Sequence, residues 1–135
     1  MAIERWKKAL EGEINFWKNS KYDFPSYSEA LKIIQKHNIQ TNNKKILEIG
    51  GGPSGLITHL NGERYIIDPL MNFFSSKYKL AEKITYINGK GEALPFSDNF
   101  FDVIFCINAL DHADNPDEIL HETNRCLKNK GIYFM

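Results

Sequence analysis

The rhythm of apolar positions along this chain changes near residue 45. Before it, Ile3, Trp6, Leu10, Ile14 and Trp17 recur at steps of three and four. That spacing lines one face of an α-helix and predicts one over roughly residues 2–19. Asp23, Pro25 and Ser26 interrupt the pattern, and Ser26 with Glu29 three residues on reads as a capping box. A second helix is therefore predicted to about His37, burying Ala30, Leu31, Ile33 and Ile34. Beyond the polar Thr41-Asn42-Asn43, short apolar runs alternate with helical patterns. Strands are predicted at 45–49, 64–67, 84–87, 102–107 and 131–135, and helices near 54–60, 70–81 and 116–128. Asn115-Pro116-Asp117-Glu118 supplies an N-cap, a proline at the first helical position and acids in the first turn. Asn129-Lys130-Gly131 ends that helix in a turn. The runs 45–49 and 102–107 are almost wholly apolar, as central strands covered on both faces are. This alternation predicts an α/β fold, a doubly wound, Rossmann-like parallel sheet, with residues 1–40 as a helical appendage and 41–135 as the α/β domain.

In such a sheet a ligand lies across the carboxyl ends of the strands, so the chemistry is sought just after each one. After the first strand, Ile46-Leu47-Glu48-Ile49 runs into Gly50-Gly51-Gly52-Pro53-Ser54-Gly55. Glycines at 50 and 52 can take positive φ and let backbone approach a ligand closely, while Gly55 suits tight packing at the next helix. The spacing satisfies G-x-G-x-x-G, a weak signal alone, and N–H groups in such a turn favour an anion. After the second strand comes Asp68, a carboxylate able to accept hydrogen bonds from two ribose hydroxyls. Gly91-Glu92-Ala93-Leu94-Pro95-Phe96 follows the third strand and Asn108-Ala109-Leu110-Asp111-His112 the fourth.

Composition narrows the options. The chain has 135 residues, enough for one domain, with 17 Lys plus Arg balanced by 17 Asp plus Glu. No basic field recommends a nucleic-acid partner, no apolar run approaches a membrane span, and the charged N-terminus does not resemble a signal peptide. Cys106 and Cys126 sit in apolar patterns, as buried reduced thiols of a cytoplasmic protein do. His37, His59 and His121 have no metal-ligand company, and no metal is expected.

Taken together, Leu-Glu-Ile-Gly-Gly-Gly at 47–52, Ile-Asp-Pro at 67–69, the stretch Gly-Glu-Ala-Leu-Pro-Phe-Ser-Asp-Asn-Phe-Phe-Asp-Val-Ile at 91–104, the 108–112 segment and the helix ending Arg125-Cys126-Leu127-Lys128 resemble class I S-adenosylmethionine-dependent methyltransferases. The resemblance is to their small-molecule, quinone-biosynthesis-like branch and covers about residues 44–135. It implies a sheet in the order 3-2-1-4-5, S-adenosylmethionine as cofactor with S-adenosylhomocysteine as its product, and a small-molecule acceptor, with a glycan or lipid precursor as one candidate. It also implies roles. Gly50, Gly51 and Gly52 would pass under the methionine part, and Glu48 would orient that loop and the ammonium. Asp68 would hold the ribose. Gly91, Glu92 and Ala93 would border adenine, with Leu94 or Pro69 on a ring face. Asn108 and Ala109 would line the sulfonium side. Asp111 and His112 are the candidate catalytic pair, needed as a base only if the nucleophile carries a proton.

Two departures stand out. Lys90 occupies a position where many relatives place Asp for the adenine amino group, leaving that bond to Glu92 or to backbone and stacking. The sequence also stops within the fifth strand, so the resemblance implies that the family's last helix and antiparallel hairpin are missing. An uncovered edge there, or the Trp6–Trp17 helix, would pair two copies. Two alternatives stay open: a cofactor-binding module without catalysis, and a nicotinamide-dinucleotide-binding Rossmann domain.

Overall fold

Five short runs of β-branched and aromatic residues hydrogen-bond into one sheet. The computed structural model describes residues 7–8, 11–12, 27–107, 110 and 113–135. Its elements are α1 (Ser28–Lys36), β1 (Lys45–Ile49), a 3-10 turn (Leu56–His59), β2 (Glu63–Asp68), α2 (Met71–Lys77), β3 (Ile84–Asn88), β4 (Phe101–Phe105), α3 (Pro116–Cys126) and β5 (Leu127–Phe134). All four strand pairings are parallel, in the order β3-β2-β1-β4-β5. Chain order reverses between β1 and β4, and the crevice at that switch point is where this architecture takes its ligands.

Strand alternation sorts the core into two layers. Ile46, Ile66, Val103 and Phe105 face one way and pack with Leu56, Ile57 and Phe74. Leu47, Ile49, Ile67 and Ile104 face the other and pack with Leu94, Phe101, Ile119 and Cys126. Both cysteines are buried and unpaired to one another. Asp102 closes the bottom of the sheet, accepting the Lys45 N–H at 2.9 Å and the Lys128 amine at 3.3 Å. Burial alone would raise its pKa, but these two donors prevail and hold it below the ordinary carboxylate range. Among the described residues no helix is long and apolar enough to cross a membrane.

Several boundaries differ from those predicted. Only Lys7, Lys8, Glu11 and Gly12 of the first predicted helix are described, and they are helical and exposed. The second helix starts at Ser28 with no side-chain cap on its N-terminus, and Ser26 lies outside the described residues. Ile33 is 44% exposed, not buried as predicted. The helix predicted near 54–60 is a single 3-10 turn, because only thirteen or so residues separate β1 from β2. Helix α2 ends at Lys77 rather than at 81, since Tyr78 turns extended and its ring and Leu80 pack onto the first core layer. Strand β4 ends at Phe105, short of 107. Strand β5 begins at Leu127, and the predicted 129–131 turn is an excursion inside it. Leu127 pairs with Phe101, and pairing resumes only at Ile132 with Val103, with Lys130 at φ 66° between them. The cap of α3 is as predicted, with Asn115 accepting from the Glu118 N–H and Pro116 in the first turn.

Candidate functional site

The turn after β1 depends on glycine at several points. Gly50 and Gly52 adopt φ 71° and 63°, a region side-chain-bearing residues rarely enter. The Gly50 N–H donates to the Ile67 carbonyl at 2.7 Å, which stitches the turn to β2. The Gly52 N–H donates to Asp68 Oδ2 at 3.1 Å. The site's glycine turn and the carboxylate at the end of β2 are thus in direct contact. On the far side of the turn, the Tyr27 hydroxyl donates to the Ser54 carbonyl at 3.2 Å, joining the start of α1 to the loop.

Glu48 lies beneath this turn, with only 1% of its surface exposed. Its Oε1 accepts the Ile57 N–H at 2.9 Å. The carboxyl group fills the space beside Gly55, where an added Cβ would fall 2.5 Å from Oε1, and beside Gly51, where it would fall 3.0 Å from Cδ. Burial pushes the Glu48 pKa up to about 7. The N–H groups of Ile57 and Leu56 oppose that rise and the Asp68 carboxylate adds to it. A carboxyl balanced near neutrality can meet a cation in its charged form or stay protonated without one.

Asp68 is 8% exposed. Besides the Gly52 bond on Oδ2, its Oδ1 accepts the Leu70 N–H at 2.9 Å. A carboxylate offers about four acceptor positions, so its geometry suits a ligand hydroxyl alongside these backbone donors. Pro69 is half-buried next to it.

The loop after β3 is shaped mainly by packing. A Cβ on Gly91 would fall 2.7 Å from Ile49 Cγ2, so glycine here lets the loop cross the end of β1. Glu92 is half-buried and Ala93 exposed, while Leu94 is 5% exposed and belongs to the second core layer. Helix α3 then pins the loop. Glu122 Oε1 accepts the Leu94 N–H at 2.9 Å. Arg125 donates to the Leu94 carbonyl at 3.0 Å, the Phe96 carbonyl at 2.8 Å and Asp98 at 2.9 Å, and pairs with Glu122 itself. Bonding to Arg125 holds Glu122 below its ordinary pKa despite its partial burial, and raises that of Arg125. Sequence reasoning missed this clamp because its two sides lie about thirty residues apart.

After β4, Cys106 is buried and Ile107 half-buried. Asn108, Ala109, Asp111 and His112 lie outside the described residues. A pocket of about 420 Å³ opens between α1 and the ends of β4 and β5. Ala30, Ile33, Cys106, Ile107, Leu110, Phe134 and Met135 line it, all of them apolar or weakly polar. Because β4 neighbours β1 in the sheet, this pocket and the glycine turn share one rim.

Comparison with known proteins agrees with this geometry. Residues 47–135 match the family model described as a methyltransferase domain. Sterol 24-C-methyltransferase ERG6B of Gibberella zeae is 30% identical over 109 residues, covering 72% of this chain and 28% of that protein. The ubiquinone/menaquinone biosynthesis C-methyltransferase UbiE of Shewanella is 31% identical over 99 residues, covering 64% of this chain and 39% of that one. The chain thus spans under a third of the sterol enzyme and under half of the quinone enzyme. Among solved structures, the YcgJ protein of Bacillus subtilis superposes with a TM-score of 0.64 at 24% identity, covering 78% of this chain and 49% of that one. A methyltransferase from an antibiotic biosynthesis pathway of Anabaena variabilis reaches 0.67 at 21% identity, covering 80% and 44%. With its family match running from β1 to the last residue, and its sheet order and glycine turn in place, the chain belongs to the class I S-adenosylmethionine-dependent methyltransferases.

Proposed function

We propose that this chain holds S-adenosylmethionine on its glycine turn and takes part in methyl transfer to a small, largely apolar acceptor. The observation that carries the reading is the contact between Gly52 N–H and Asp68 Oδ2. It joins the two features that the family assigns to the methionine and ribose parts of one ligand. The chemistry the cofactor supplies when bound is an electrophilic methyl group on a sulfonium.

The chain's own residues then have limited but specific tasks. Gly50 to Gly52 present backbone without side chains, so the ligand can lie against them. Asp68 accepts ribose hydroxyls. Glu48 keeps the loop in place and offers negative charge beneath the methionine ammonium. Methyl transfer from a sulfonium depends chiefly on in-line proximity, so positioning is the main requirement. The apolar pocket beside Cys106 and Leu110 suits an acceptor that presents one nucleophilic atom from a greasy body, in keeping with the sterol and quinone named for the relatives. Asp111 and His112, which follow β4 in the sequence, would accept a proton from a nucleophile that carries one.

S-adenosylhomocysteine should stabilise the fold by roughly 2.7 kcal/mol at a hundred times its Kd, and so raise the melting temperature in a concentration-dependent way, and NAD should not. Asp68→Ala should weaken S-adenosylhomocysteine binding about ten-fold or more, because charge-assisted bonds are lost. Calorimetry that finds stabilisation by NAD alone, or an unchanged affinity in the variant, would overturn this reading of the site.

A further inference from the structure

The element that carries the glycine turn into the fold is too short to hold itself. Leu56–His59 is four residues of 3-10 helix. Its backbone bonds run from Thr58 N–H to the Gly55 carbonyl and from Leu60 N–H to the Ile57 carbonyl, both at 3.1 Å. Helices this short pay nucleation without propagation and leave terminal N–H and C=O groups unsatisfied. In this protein both ends are satisfied from outside. From β1, Glu48 accepts the Ile57 N–H at the amino end. From β2, Arg64 Nη1 reaches the carbonyls of Leu60 at 3.0 Å, Ile57 at 3.3 Å and Thr58 at 3.5 Å at the carboxyl end. An acid at the first end and a cation at the last are the signs a helix dipole favours.

The placement of Arg64 on its strand adds to this. Arg64, Ile66 and Asp68 alternate on one face of β2. That face therefore carries the cation behind the 3-10 turn at one end and the carboxylate that accepts Gly52 N–H at the other. Arg64 lies opposite Ile46 in the sheet, four residues from Asp68 and so roughly 13 Å from it along the strand. It is at the wrong end of β2 to touch a ligand on the rim. Any influence it has on the ligand must pass through the turn.

We propose that Arg64 is a positioning residue for the cofactor site: with Glu48 it fixes the 3-10 turn from both ends, and so sets how well Gly50 to Gly55 receive S-adenosylmethionine. The proposal rests on the methyltransferase reading above and adds to it a residue outside the binding surface. Its chemical content is that one guanidinium nitrogen, Nη1, carried on a long stem, serves the three carbonyls, Leu60 at the shortest distance. A lysine would keep the charge on a shorter, more mobile stem and hold them less well.

The test measures S-adenosylhomocysteine affinity by calorimetry, well below the melting temperature, in the wild-type chain and in Arg64→Met and Arg64→Lys. Hydrogen exchange of residues 50–60 and of β1 and β4 is followed in the same samples. Arg64→Met, which keeps the stem and removes the donors, should weaken binding about ten-fold or more. It should also speed exchange across 50–60 while exchange in β1 and β4 stays slow. Arg64→Lys should recover part of the affinity. If Arg64→Met does not fold, Arg64→Lys decides: weaker binding than wild type with unchanged sheet exchange supports the proposal. Wild-type affinity in the variants, even with a lowered melting temperature, would reduce Arg64 to a contributor to stability and overturn the proposal alone. Failure of the wild-type chain to bind S-adenosylhomocysteine at all would overturn the cofactor reading and this proposal with it.

Discussion

Two loops on the same rim are each held by one glutamate and one arginine, and the two pairs work differently. In the 91–100 loop, Glu122 and Arg125 come from one turn of α3, touch each other, and together grip backbone at Leu94 and Phe96. In the 50–60 loop, Glu48 and Arg64 come from different strands and grip opposite ends of the 3-10 turn. A paired carboxylate is stabilised in its charged form, and Glu122 accordingly sits below its ordinary pKa. Glu48 is buried with backbone N–H groups for partners and sits near 7. The first arrangement is a clamp that keeps its charge. The second is a seat whose charge costs free energy until something positive approaches, which suits the loop assigned to the cofactor's ammonium rather than the loop assigned to adenine.

The largest effect is expected where the seat has no slack. Gly55→Ala would place a methyl group 2.5 Å from Glu48 Oε1. Relief requires the carboxyl to leave Ile57, so overpacking and a buried N–H left without its partner act together, at about 4 kcal/mol. Chemical denaturation should show the loss. The double variant Gly55→Ala with Glu48→Ala should recover much of it, because the two positions share one volume and their effects should not add. Additive losses would mean that Gly55 and Glu48 are not coupled and that the seat is not what distinguishes this loop.

The pH dependence separates the two glutamates by sign. The folded Glu48 holds its proton up to about pH 7, against 4.5 as its ordinary value. The stability it contributes is therefore complete below about pH 4.5 and lost as pH rises to 7, an effect of at most roughly 3 kcal/mol. Glu122, with its pKa lowered, contributes stability above its ordinary range that is lost as pH falls through the folded value. Glu48→Gln should remove a downward slope of stability between pH 4.5 and 7. Glu122→Gln should leave that slope alone and change only the acid limb. Denaturation curves across pH 3 to 8 would read both. A wild-type curve that rises steadily from 4.5 to 7 and is unaltered by Glu48→Gln would remove the contrast.

Much of this arrangement was legible in the sequence, where local rules and the long-range fold agree. The run 45–49 is legible to the residue because an apolar strand ends at an unmistakable glycine turn. Asn115-Pro116 marked the start of α3 for the same reason. The misses lie where tertiary contacts overrule local preference. Tyr78 and Leu80 carry helix-compatible side chains but are drawn out of α2 into the core. Ile33 keeps helical spacing yet faces the open pocket near Leu110. Arg64 opens the strand predicted at 64–67, and nothing local sets it apart. Its one signal was parity, since it shares a strand face with Asp68, and parity gains meaning only once the shortness of the connection is known. Glu122 and Arg125 gave none, because what they bind is backbone.

The smallest change is expected at the clamp, and it sharpens the comparison most. Arg125→Met removes the donors to Leu94, Phe96 and Asp98 while keeping a stem to pack. The Arg125 side chain is 29% exposed and Asp98 71%, so water replaces part of what is lost and solvent screens the ion pairs. The cost should be about 1–2 kcal/mol, below that of disturbing the buried seat. Glu122, deprived of its partner, should return toward its ordinary pKa, and the acid limb of stability should shift with it. Hydrogen exchange should quicken at Leu94 and the neighbouring loop amides and leave residues 50–60 unchanged, since among the described residues Glu122 and Arg125 of α3 spend their hydrogen bonds on the 91–100 loop and on each other. Were exchange to quicken in both loops together, the rim would be one cooperative unit, and the two glutamate–arginine pairs would have to be treated as parts of a single device.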